Sequence, residues 1–135
     1  MSLSEAARAL GQKLDFAPTE PGAGCDYLHV ATLPLDIDLM VIDSVIERVD
    51  VFRGDVRTLS GAHIGSTEEE VKALYPGRIE VQEHPYTGPE GHYLIYVPRD
   101  PVDSTFRIIF ETDGHKVTTY RAGRRPAVQY IEGCS

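Results

Sequence analysis

The sequence predicts an α+β domain built from two helix-then-antiparallel-meander repeats that form one sheet with the helices on one face. Three observations support this. Two segments open alike, SLSEAARALG (Ser2 to Gly11) and STEEEVKALYPG (Ser66 to Gly77). Each leads to a Tyr-Leu pair, in CDYLHV (Cys25 to Val30) and GHYLIYV (Gly91 to Val97). Each closes on two apolar-rich runs, DLMVIDSVIERVDVFRG (Asp38 to Gly54) and FRIIFETDGHKVTTYRAG (Phe106 to Gly123). The reading is a single domain over 1–135, with repeat one at 1–56 and repeat two at 57–135.

Ser66 and Glu69 have the S-x-x-E spacing of a capping box, in which the hydroxyl accepts from an orphan backbone amide and the glutamate reaches back to the serine N–H. Val71, Leu74 and Tyr75 recur at helical spacing, so a helix is expected over about 67–74, stopped by Pro76-Gly77. Ser2 and Glu5 repeat the box, and Leu3, Ala6, Ala7 and Leu10 repeat the apolar face. Glu68 to Glu70 suit the positive end of the helix dipole.

Beyond the helices the period shortens to two. Leu39 to Ile42 and Val45 to Phe52 read as a hairpin turning near Asp43-Ser44. Phe106 to Glu111 and His115 to Arg121 flank Thr112-Asp113-Gly114, where Asp-Gly is a hairpin signal. Tyr27 to Ala31, Tyr93 to Val97 and Val128 to Ile131 supply further strands. Each repeat is thus a helix followed by about three strands, and neither unit buries enough surface alone. RTLSGAHIG (Arg57 to Gly65) has no counterpart before Ser2, so the natural chain is expected to begin further upstream, through a strand and a signal peptide since removed.

Composition narrows the function. The chain is 41% hydrophobic and 25% charged with a net charge of -8, and its tightest basic cluster is Arg121, Arg124 and Arg125. That balance repels a phosphate backbone, so nucleic acid is not expected as a partner. No apolar run is long enough to span a bilayer. An even pair of cysteines, Cys25 at the head of a strand and Cys134 next to the C-terminus, fits a disulfide in an oxidising compartment, periplasmic or secreted. Such a bond would close a loop of about 100 residues and contribute roughly 4 to 5 kcal/mol.

The stretch I-G-S-T-E-E-E-V-K-A-L-Y (Ile64 to Tyr75), leading through a loop to a small meander, resembles the helix-opening motif of the SmpA/OmlA small outer-membrane lipoproteins. Written twice, the unit resembles the tandem layout of the beta-lactamase inhibitor proteins. The resemblance implies a non-catalytic envelope or inhibitor protein. Two features depart from it: the chain has no Trp, and its two cysteines fall one in each half rather than paired within a repeat.

The longest irregular segment, VQEHPYTGPEGHY (Val81 to Tyr93), holds Glu83, His84, Tyr86, Glu90 and His92. Exposed loops on a fixed scaffold often carry function. No spacing enforces a shared geometry on its histidines and glutamates, so no metal is assigned. Tyr86, Tyr93, Tyr96, Tyr120 and Tyr130 concentrate in the second half, and a sheet covered by helices on one face leaves the other open for amphipathic rings. Tyr75 and Tyr93 are expected in the core; Tyr96 and Tyr120 join the binding candidates. Asp50, Glu111 and Asp113 read as charges on a solvated strand face. Neither a G-x-S-x-G elbow nor a dinucleotide or phosphate-binding glycine motif occurs. The expected function is an extracytoplasmic protein-binding or envelope-associated module, without catalytic activity or cofactor, whose partner is a protein or envelope component. The alternative is a small-ligand binder or hydrolase with a pocket near the 81–93 loop.

Overall fold

A computed structural model describes residues 25–30, 37–43, 45–53, 56–58, 60–85, 88 and 90–129; of residues 25, 26, 28 and 30 it describes the backbone alone. Seven strands are present: β1 Cys25–Val30, β2 Ile37–Ile42, β3 Val45–Val51, β4 Ile79–Glu83, β5 His92–Tyr96, β6 Phe106–Thr112 and β7 Val117–Arg124. They form one antiparallel sheet in the order β1-β2-β3-β7-β6-β5-β4. Two meanders, β1 to β3 and β4 to β7, therefore meet through their last strands. Helix α1, Glu68–Leu74, lies between them in sequence, and short 3₁₀ turns occur at Pro101–Asp103 and Ala127–Gln129.

This corrects the expected layout. The second half has four strands after its helix, and among the described residues α1 is the one α-helix, so the fold is not two copies of a helix followed by a three-stranded meander. It is α+β only in a loose sense. The helix expected over Ser2 to Leu10 lies outside the described residues. Ile79 to Glu83, partly absorbed into the predicted loop, form β4; Val128 and Gln129, expected in a strand, belong to a 3₁₀ turn, and Tyr130 and Ile131 lie outside the described residues.

The cap of α1 also shifts by one residue. Thr67, not Ser66, has the extended backbone of an N-cap, and its hydroxyl accepts from Glu70 N–H at 3.1 Å. Ser66 is buried instead, its hydroxyl accepting from His63 N–H. The backbone explains the difference. Gly65 N–H and Glu68 N–H donate to Val117 O and His115 O, and Val117 N–H donates to Ser66 O, so this segment is laid along the start of β7 before the helix begins.

The predicted turns are present. Ile42 pairs with Val45 across a two-residue turn in which Asp43 has φ 50°, a left-handed value that aspartate tolerates. At the β6–β7 turn Asp113 Oδ1 accepts from His115 and Lys116 N–H, both at 2.9 Å. Gly114 has φ 100°, and a Cβ there would lie 2.5 Å from Glu90 O, so both the turn and the neighbouring loop require glycine.

Strand register sorts the side chains onto two faces. The helix-side face holds Leu39, Val41, Val49, Val51, Leu94, Tyr96, Ile108, Phe110, Tyr120 and Ala122, packed with Ala62, Val71 and Tyr75. Leu94, Phe110 and Val71 have no exposed surface. Burying each such side chain stabilises by about 1.5–3 kcal/mol. The opposite face holds a smaller apolar cluster, Tyr93, Ile95 and Ile109 under Val128, beside a row of charged residues.

Candidate functional site

The helix-side core is not closed at every point. Where β3, β7, β6 and β5 run side by side, a cleft of about 440 Å³ opens. Its floor is Val49 and Val51 from β3, Ala122 and Tyr120 from β7, Ile108 and Phe106 from β6 and Tyr96 from β5. Tyr75, just past α1, and the segment through Val56, Arg57, Thr58 and Ser60 form its wall. The volume falls within the range of small-ligand pockets, about 300–1,000 Å³.

The aromatic side chains pack on one another, and Tyr75 and Tyr120 commit their hydroxyls to the wall. Tyr75 packs on Tyr96 at 4.7 Å between ring centroids and on Phe110 at 6.2 Å, and Phe110 packs on Tyr120 at 5.4 Å. The Tyr120 hydroxyl donates to Val56 O at 2.5 Å, and the Tyr75 hydroxyl shares a 2.7 Å bond with Thr58 Oγ1. Thr58 Oγ1 also accepts from Ala62 N–H, and Thr58 N–H donates to Ala62 O, so the wall is a bonded turn rather than a draped strand. The rings thus contribute apolar surface, and two of the three hydroxyls are committed to the wall.

Of the binding candidates named from sequence, the structure brings Tyr96 and Tyr120 together in this cleft. The others lie elsewhere. Glu83 is exposed at the end of β4, Glu90 is exposed in the β4–β5 turn, and Tyr86 lies outside the described residues. His92 is on the helix side, its Nδ1 at 2.8 Å from Glu68 Oε2, which also accepts from Thr112 Oγ1 at 2.6 Å. His84 lies on the opposite side, its Nε2 at 2.6 Å from Glu111 Oε1. The two histidines therefore serve separate carboxylates on separate faces. Among the described residues no group of three or more His, Cys, Asp or Glu side chains is placed to hold a metal. Cys134 and the side chain of Cys25 lie outside the described residues, and so does any pairing between them.

The expectation of an open face with tyrosines is corrected by the second face. Tyr96 and Tyr120 are on the helix side, while the other face carries a row of charged residues buried at Arg48, Asp50 and Arg121. Arg48 and Asp50 on β3 form a two-point pair, Nε to Oδ2 at 2.8 Å and Nη2 to Oδ1 at 2.9 Å, and both are about 96% buried, with exposures of 4% and 3%. Arg48 Nη1 also donates to Ala127 O, and Arg121 Nε donates to Val128 O at 2.6 Å. The two guanidinium groups thus fix the C-terminal 3₁₀ turn onto the sheet. Arg121 Nη1 donates to Glu111 Oε2, and its guanidinium lies 5.4 Å from the centroid of Tyr93. At the far end of the row His29 Nδ1 meets Asp38 Oδ1.

Burial sets the electrostatics of this row. Loss of water raises the Asp50 carboxyl above its ordinary 3.8, against the opposing pull of Arg48 and Arg121. Burial and the neighbouring Glu111 carboxylate likewise raise the Tyr93 phenol, against the opposing pull of the Arg121 guanidinium. Asp50, Glu111 and Asp113 were expected on a solvated face; the cover supplied by residues 127 and 128 overturns that for Asp50, while Glu111 is partly exposed and Asp113 exposed. The basic cluster separates too, with Arg121 buried and Arg124 and Arg125 exposed.

Sequence reasoning missed Phe106, Val49, Val51 and the Val56 to Ser60 wall. One signal for the wall was present, since Arg57 to Gly65 was the segment without a counterpart in the first half. No helix of the described residues is long and apolar enough to cross a membrane. Comparison with family models, with curated proteins and with solved structures gives no match to this chain.

Proposed function

We propose that the protein is a non-catalytic, extracytoplasmic binding module that receives an apolar, ring-sized group of a protein partner in the Tyr75–Tyr96–Tyr120 cleft. The observation that supports this is the direction of the hydroxyls. Tyr75 and Tyr120 bond Thr58 and Val56 in the wall, leaving ring faces and the aliphatic side chains of Val49, Val51 and Ile108 toward the opening. A site of that kind desolvates an aromatic or branched side chain without requiring it to supply hydrogen bonds. The extracytoplasmic part rests on the sequence pair Cys25 and Cys134. A free small ligand is the second reading, and the cleft volume supports it equally.

The chain has seven Tyr and no Trp, and three of the seven, Tyr75, Tyr96 and Tyr120, line the cleft, so tyrosine emission includes a contribution from it. Titration with peptides ending in Phe or Leu, and with small aromatic compounds, is expected to change that emission saturably. Ala122→Leu, which fills the floor, should abolish the change while leaving thermal unfolding cooperative. Saturable binding that Ala122→Leu leaves intact would place the site elsewhere and end this reading.

A further inference from the structure

We propose that the outer edge of β4 is a docking site for a basic, extended peptide strand, separate from the cleft. β4 is a terminal strand of the sheet, so among the described residues it pairs on its β5 side alone. The bonds from His84 N–H to Gly91 O and from Val97 N–H to Arg78 O, both 3.0 Å, bracket the β4–β5 ladder and fix its phase. Antiparallel pairing alternates, so residues 78, 80, 82 and 84 turn their backbone groups toward β5. Ile79, Val81 and Glu83 therefore turn theirs outward, and among the described residues no further backbone bond engages them.

Open edges of this kind are ordinarily blunted by lysine, proline or a bulge. β4 reads IEVQE and pairs with β5 without a register break, so lysine, proline and bulge are all absent, and the charge it carries is that of two glutamates, which repels another acidic edge but not a basic strand. Glu80 through Glu83 are all exposed, Val81 at 48%. The edge is a ready template for strand addition, in which backbone bonds supply affinity and alternate side chains supply choice.

Charge identifies the occupant. Ile79, Val81 and Glu83 point to the helix side, Glu80 and Gln82 to the other, and the strand itself carries two glutamates and no basic residue. An added antiparallel strand meets Glu83 first and Ile79 last. The complementary pattern is therefore basic, polar, apolar, basic, apolar, placing one cation against each glutamate on its own face and apolar groups against Val81 and Ile79. A net charge of -8 favours encounter with such a segment and disfavours a second copy of this chain, which would bring the same glutamates.

The test titrates the folded protein with a synthetic peptide containing Lys-Thr-Val-Lys-Val between Gly-Ser flanks, read by backbone amide shifts. The expected result is saturable shifts at Ile79, Val81 and Glu83, weakened by salt raised from about 0.05 to about 0.5 M. Val81→Pro removes an outward donor and no β4–β5 bond, a position an edge strand tolerates. It should weaken binding by about 10-fold. Glu80→Lys with Glu83→Lys, both exposed, provides a second variant that does not depend on Pro being accommodated, and should weaken binding at least as much. Ala122→Leu should leave it unchanged. Shifts centred outside β4, equal binding by a Glu-Thr-Val-Glu-Val peptide, or edge-to-edge association of the protein that the peptide does not compete would each overturn the proposal.

Discussion

Gly123 on β7 stands directly opposite Arg48 on β3, and it is glycine because the arginine needs the space. A Cβ at 123 would lie 2.6 Å from Arg48 Cβ and 2.7 Å from its Cα, and closer still to Glu47 O. Most of those atoms are backbone and cannot swing aside. Gly123→Ala is therefore expected to destabilise the fold by about 1–3 kcal/mol, the usual range for overpacking, measured by urea unfolding. An unchanged midpoint would mean that β3 and β7 can part here at no cost.

The Arg48–Asp50 pair gives a second test. Arg48→Met leaves a buried carboxylate unpaired and should cost about 3–5 kcal/mol, whereas Arg48→Met combined with Asp50→Leu should restore most of the loss. A double-mutant cycle by chemical denaturation measures it. If the double variant is no more stable than the single one, the arginine acts chiefly through Ala127 O.

Two aspartates give opposite pH slopes. Burial raises Asp50 above 3.8, so the folded state holds that proton more tightly than the unfolded chain. Relative to Asp50→Asn, the wild-type chain should gain stability as pH falls from the folded value to about 3.8, and level off below it. Asp113 is the reverse. Lys116 and His115 N–H lower its carboxyl below 3.8, so its contribution relative to Asp113→Asn is present above 3.8 and lost as pH falls through the folded value. Unfolding curves of the three proteins across the acid range check both signs.

Tyr120→Phe should release the cleft wall without emptying the floor. The hydroxyl bond to Val56 O is lost, at a cost of about 1 kcal/mol. Amide exchange should rise at Val56 to Thr58 and stay unchanged at Ile109 and Phe110.

What could be read from the sequence was local. The turns at Asp43 and at Asp113-Gly114, the span of α1, and the burial of Tyr75 and Tyr93 all follow from spacing and turn chemistry within a few residues. β4 was hidden because an edge strand exposed on both sides shows little apolar contrast with a loop. The charge row was hidden for a different reason. Alternation places Arg48, Asp50, Glu111 and Arg121 on one face, but whether that face meets water depends on Ala127 and Val128, which arrive from far along the chain. The cleft required the same long-range knowledge, since its floor comes from both meanders.

The β3–β7 pairing has a kinetic consequence. Every other strand pair joins neighbours in sequence, whereas Val51 meets Tyr120 and Arg48 meets Gly123 only after the intervening helix and three strands have been laid down. Loop-closure entropy and contact order both place this seam late in folding. Substitutions such as Val51→Ala or Ala122→Gly should then speed unfolding while hardly slowing folding, a split that stopped-flow measurements resolve. The cleft floor and the buried arginines straddle that seam, so cleft and charge row are completed in the same late event, and a partly folded chain possesses neither.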